Sequence, residues 1–182
     1  MKFPKILAYT LCFVCSTLSF AQEVSSKKIM NPENSIIENA EDSGNHNTLL
    51  AAVKAADLEY LLDDAGPFTV FAPSDVAFEK LDEATKSSLL NPENKKELHS
   101  VLTYHIVAGN LSASKILKAM CRGNGKATFI TVQGDLLTAT MKGLDIVLSD
   151  NQGNTAMITT ADANQCNGII HVIDSVIMPQ QM

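Results

Sequence analysis

Near Cys121 the apolar pattern of this chain changes period, and that change limits the fold more than any other feature. Before it, apolar residues recur at helical spacing: Leu49, Leu50, Val53, Leu58, Leu61 and Leu62, then Leu98, Val101, Leu102 and Ile106. After it, Gly123, Gly125, Gly134, Gly143, Gly153 and Gly168 punctuate short apolar runs. The runs cover 127–132, 136–141, 144–148, 155–159 and 169–178. Within them Leu144, Ile146 and Leu148 alternate with Asp145, Val147 and Ser149, which is a strand pattern. Helices placed ahead of mostly antiparallel strands predict an α+β domain.

Local signals refine this outline. Residues 68–71 (Phe-Thr-Val-Phe) are rich in strand formers and read as a short buried strand, ended by Pro73. Ser74 or Asp75 can cap the helix that follows, on which Phe78 and Leu81 face inward. Asn31-Pro32-Glu33-Asn34 and Asn91-Pro92-Glu93-Asn94 each predict a helix start, with Asn as N-cap, Pro at the first position and an acid in the first turn. The second of these helices is expected to carry Leu98, Val101, Leu102 and Ile106 on one face, in a segment ended by Gly109. His105, four residues after Val101 and seven after Leu98, shares that face. Ser112 can cap a further helix carrying Ile116 and Leu117.

The N-terminus reads as an export signal. Lys2 and Lys5 precede the apolar run Ile6 to Val14, and Ser19 and Ala21 supply small residues for a cut after Ala21. The run is far below the roughly 20 residues a membrane-spanning helix needs. Neither Cys12 nor Cys15 follows the small residues of a lipoprotein signal. The expected organisation is therefore a signal peptide at 1–21, a flexible leader at 22–33 and one domain at 34–180, periplasmic or extracellular and without a membrane span. Export removes Cys12 and Cys15 and leaves Cys121 and Cys166, for which an oxidising compartment predicts a disulfide.

Composition and motif content narrow the function. Of 182 residues, 14 are Lys or Arg and 20 are Asp or Glu, and there is no Trp. An acidic chain with few aromatic rings is a poor match for nucleic acid. The histidines at 46, 99, 105 and 171 make no metal-binding spacing, and there is no EF-hand, no Gly-x-Ser-x-Gly elbow and no phosphate-cradling glycine loop. No catalytic residue, metal or cofactor is therefore expected. Asn110-Leu111-Ser112 is a formal glycosylation sequon, but it reads better as a turn leading to the Ser112 cap.

Three stretches carry a resemblance. They are residues 66–78 (Gly-Pro-Phe-Thr-Val-Phe-Ala-Pro-Ser-Asp-Val-Ala-Phe), 102–109 (Leu-Thr-Tyr-His-Ile-Val-Ala-Gly) and 167–179 (Asn-Gly-Ile-Ile-His-Val-Ile-Asp-Ser-Val-Ile-Met-Pro). In content, order and spacing they resemble the signatures of the fasciclin domain family, from about Asn34 to Pro179. The resemblance implies a twisted β-sandwich or wedge flanked by a layer of short helices. It also implies a non-catalytic adhesion or interaction module whose partner is a cell-surface or matrix protein or a glycan. In animal members a Tyr-His pair is tied to integrin recognition, and by position it falls on Tyr104 and His105. A histidine on an apolar helix face is more often a hydrogen-bonded core residue, which is the reading preferred for His105; Tyr104 is expected to be more exposed. Of a second animal adhesion motif only Asp162 remains, so integrin binding does not carry over. Some fasciclin-like proteins hold carotenoids. The alternative function is therefore carriage of an apolar small molecule, in a pocket of several hundred Å³.

Overall fold

The computed structural model describes residues 30–64 and 66–180. The expected signal peptide and most of the leader lie outside the described residues. In chain order the elements are α1 (Ile36–Ser43), α2 (Asn47–Ala55), α3 (Glu59–Asp64), β1 (Phe68–Pro73), α4 (Asp75–Glu79) and α5 (Glu83–Leu89). A 3-10 turn (Pro92–Asn94) then leads into α6 (Lys95–Tyr104), β2 (Ile106–Ala108) and α7 (Ala113–Arg122). The last five are β3 (Lys126–Ile130), β4 (Leu136–Lys142), β5 (Asp145–Ser149), β6 (Thr155–Gln165) and β7 (Gly168–Ile173). The expectation of an α+β chain with strands concentrated after Cys121 holds.

The seven strands run in the order β2-β1-β7-β6-β5-β4-β3. Every pairing is antiparallel except that of β1 with β7. The sheet curls until its edges meet: Val107 bridges Thr131, and the Val132 N–H donates to the Ile106 carbonyl at 2.7 Å. β6 is long enough to serve two partners. Its first residues pair with β5, and residues 158–165 pair with β7 across two register shifts.

Two apolar cores follow from this curl, and the strand period distributes residues between them. Phe68, Val70 and Ala72 of β1 point into a core shared with the helices, which includes Ile36, Leu50, Val53 and Leu102. Phe71 points the other way, into a core enclosed by the sheet and α7 that holds Tyr104, Ile116, Leu137, Leu148 and Ile173. A strand buried on both faces reads as a continuous apolar run, which is why 68–71 shows no alternation.

The local differences from expectation have physical causes. Asn31 to Asn34 closes a turn, with the Asn34 N–H on the Asn31 carbonyl, and is not a helix start. The helix begins at Ile36 behind a capping box, in which Ser35 accepts from the Glu38 N–H and Glu38 accepts from the Ser35 N–H. Around Asn91 the expected cap is present, with its side chain accepting from the Glu93 N–H before α6. That helix stops at Tyr104 and does not continue to Ile106. Residues 106–108 are instead drawn into β2 by pairing with β1. Ser74 and Ser112 cap α4 and α7 as expected; Ile116 is buried on α7, whereas Leu117 is exposed.

Candidate functional site

A groove of about 870 Å³ opens between the helical layer and the outer part of β6. One wall is built from Ser43 at the end of α1 and Asn45 and His46 just beyond it, together with Ser74, Asp75 and Val76 at the start of α4. Thr159 to Asn164 of β6 form the opposite wall, with Val172 of β7 between them and Met30 and Pro32 at one end. Its volume is that of a small-molecule or side-chain pocket. Among the described residues its lining holds two carboxylates, Asp75 and Asp162, and no Lys, Arg, Phe or Tyr.

Asp75 organises the first wall. Its two carboxylate oxygens accept from the Thr48 N–H at 2.8 Å and from Asn47 at 3.1 and 3.3 Å, so it caps α2 from another helix. Burial pushes Asp75 up, but the hydrogen bonds from Thr48 and Asn47 outweigh it, and the carboxyl rests below its ordinary range. Beside it the Ser43 hydroxyl donates to the Ala40 carbonyl and lies 2.8 Å from Nδ1 of His46. With the hydroxyl proton on Ala40, the ring donates to Oγ. That is the reverse of a nucleophile handing its proton to a base.

The second wall is shaped by an irregularity in β6. Asp162 has φ of +58° and sits within the register shift between Thr160 and Ala163. Its N–H donates to Nδ1 of His171 at 3.2 Å, and its carboxylate accepts from the Ala113 N–H in the first turn of α7 at 2.7 Å. His171 is fully buried and stacks on Phe71, with ring centres 5.5 Å apart. Its Nε2 lies 2.7 Å from the Leu111 carbonyl. A carbonyl only accepts and an amide N–H only donates, so the neutral ring carries its proton on Nε2. The Leu111 loop is held in turn by Thr69, whose hydroxyl donates to Gly109 and accepts from the Leu111 N–H.

The sequence-selected residues part company here. Asp162 is exposed and lines the groove. Tyr104, expected to be more exposed, is instead fully buried, and its hydroxyl donates to the Leu136 carbonyl at 2.9 Å. Burial pushes Tyr104 up to about 12. His105 is a core residue, as the apolar-face argument expects: Nδ1–H donates to Val101 and Nε2 accepts from the Ile177 N–H. Burial lowers His105 to about 4. The Tyr-His pair is thus turned inward and offers no surface to a partner. Cys121 and Cys166 are free and exposed, in contrast to the expected disulfide. Cys121 lies in the last turn of α7, which packs on β3 and β4, while Cys166 lies in the β6–β7 turn with its N–H on the Asn34 carbonyl.

The groove was not legible in sequence because its lining comes from five separate segments. Its clearest local trace is Ser74-Asp75, recognised as a capping pair but not as a site. Among the described residues no helix is long and apolar enough to cross a membrane.

Comparison with known proteins places the chain. The fasciclin domain profile matches residues 44–179. A Synechocystis protein, sll1483, is 42% identical over 144 residues, which cover 79% of this chain and 73% of that protein. The cell surface glycolipoprotein MPB83 of Mycobacterium bovis is 34% identical over 64% of this chain and 46% of its own length. The fold is similar to that of a domain pair from the insect cell adhesion molecule fasciclin I. The TM-score is 0.70 at 18% identity, covering 80% of this chain and 51% of the other. On this evidence the chain belongs to the fasciclin domain family.

Proposed function

We propose that this protein is an exported interaction module, periplasmic or extracellular, that binds a surface or matrix partner through the groove between α4 and β6. The observation that carries this reading is the groove itself: of the residues singled out for binding, only Asp162 reaches it. Tyr104 and His105 support the fold from within. The lining favours a protein partner over a glycan, because sugars are usually held on large aromatic faces and among the described residues no Phe or Tyr lines the groove. Among the described residues the two carboxylates of the lining face no cation in it, which disfavours an anionic partner.

The test is adhesion or pull-down with the intact protein and two groove substitutions, Val76→Arg and Ala161→Arg. Both positions are exposed, so the fold should survive. Binding is expected to fall at least tenfold in both and to be unchanged in a Leu144→Arg control on the exposed β4–β5 turn. Equal binding by all three would reject the groove.

A second reading rests on the same volume. An apolar small molecule such as a carotenoid would fit a pocket of this size with Val76, Ala161, Ala163 and Val172 in its lining. Native mass spectrometry of protein purified from its own host, with visible absorbance on the same sample, separates the two. A bound coloured molecule supports the carrier, and a clean apo mass supports the module.

A further inference from the structure

The groove wall formed by β6 is tied to a buried imidazole. His171 is clamped between three segments: β1 through the Phe71 ring, the Leu111 loop through Nε2–H, and β6 through the Asp162 N–H. Asp162 is tied a second time by its carboxylate, which accepts from the Ala113 N–H at the start of α7. The bulge that shapes the groove is therefore pinned from behind by His171 and from the side by α7.

That arrangement has one proton-dependent bond. The neutral ring accepts the Asp162 N–H at Nδ1. A protonated ring carries N–H groups on both nitrogens, so Nδ1–H would confront the Asp162 N–H, donor against donor. The same residue holds the remedy, because the Asp162 carboxylate can accept from Nδ1–H if it leaves Ala113. The carboxylate thus has two claimants, a helix N-terminus and an imidazolium. We propose that His171 and Asp162 form a proton-operated clasp on the groove. Protonation of His171 transfers the Asp162 carboxylate from the Ala113 N–H to the ring, frees the bulge, and changes the shape of the β6 wall.

The surroundings make this a two-position device. β1 contributes Phe71 and no charge, and the loop 109–112 contributes a carbonyl. The first-turn cation of α7, Lys115, is turned to the Asn110 carbonyl at 2.6 Å. On β7's far end Asp174 is paired with Lys80 at 3.0 Å. Among the described residues Asp162 is the charge that acts on the ring. Burial keeps His171 below the ordinary histidine range, against the pull of the Leu111 carbonyl and the Asp162 carboxylate. The clasp is closed at neutral pH and opens on acidification.

The inference rests on the groove being the binding surface, but its test uses the ligand-free protein. A failed clasp can then be told from a failed binding site. Histidine-ring and backbone-amide NMR are followed from neutral pH downward, with far-UV circular dichroism on the same samples. The expected result is that the Ala113 and Asp162 amides shift with the same midpoint as the His171 ring, below about 6.5, while amides of β3 and β4 stay still. His105 is followed by its own ring signals. Asp162→Asn retains an oxygen for Ala113 but no charge for the ring. In it the His171 midpoint should fall further and the Ala113 amide should stop moving. The clasp is overturned by His171 titrating without Ala113, by Ala113 moving equally in Asp162→Asn, or by unfolding before any of these amides shifts.

Discussion

Tyr104 and His105 are adjacent and both buried, yet each is secured by a different bond, and each makes a separate prediction. The Tyr104 hydroxyl satisfies the Leu136 carbonyl. Tyr104→Phe removes that bond and should cost about 1 kcal/mol in urea unfolding while leaving groove binding intact. His105 is held neutral, at about 4 in the folded protein against 6.5 for the free side chain. Its folded pKa is depressed, so the unfolded chain binds the extra proton first. The stabilisation from His105 is complete above about 6.5 and is lost as the pH falls toward 4. The difference corresponds to roughly 3 kcal/mol. Unfolding free energies measured between pH 7 and 4 should fall accordingly, and a His105→Gln variant, already less stable at pH 7, should show a flatter profile. Two exposed thiols make a further check. Without reductant, Cys121 and Cys166 should both react with a thiol reagent under native conditions, and finding neither reactive would restore the disulfide.

At the scale of elements, capping chemistry was readable but its addresses were not. Asn31 carries out half of the expected job, accepting from the Glu33 N–H at 3.1 Å. No helix grows there because Asn39 reaches back to both the N–H and the carbonyl of Asn31, holding the segment as a turn against α1. The working cap is Ser35, and Ser35→Ala should cost about 1 kcal/mol in thermal or urea unfolding. β2 was hidden for a related reason. Three residues are too few to show a period, and their strand character comes from β1, which lies alongside. β1 and β7 pack closely at Gly168, where an added Cβ would stand 2.1 Å from the Phe68 carbonyl oxygen. Gly168→Ala must therefore push these strands apart. A loss of about 1–3 kcal/mol is expected, measured by the same unfolding experiment.

Over the whole molecule, the parallel pair β1–β7 is common to both cores, one on each of its faces. The helical layer and the curled sheet should accordingly unfold together. Leu148→Ala, deep in the sheet-enclosed core, should cost about 2–5 kcal/mol. Its far-UV and near-UV unfolding curves should still coincide, and separate transitions would show that the two cores are independent. This shared partition also explains the fate of the resemblance-derived residues. Tyr104 and His105 stand where α6 hands the chain to β2, at the junction of the two cores, and so they are consumed by packing. Asp162 lies on the outer reach of β6, beyond the span paired with β5, where the sheet leaves a wall for the groove.

The sequence by itself determined the class of fold, the position of most helices and strands, the caps at Ser74, Ser112 and Asn91, and membership of the fasciclin domain family. These depend on period, local hydrogen bonding and contiguous motifs, which are properties of neighbours along the chain. Only the tertiary structure decided that Tyr104 is buried, that Cys121 and Cys166 are both exposed, that Asp162 is gripped by His171 and Ala113, and that a groove exists at all. These depend on residues from separate elements, nine to more than forty positions apart, being brought together by strand order and register, and no local pattern encodes that meeting.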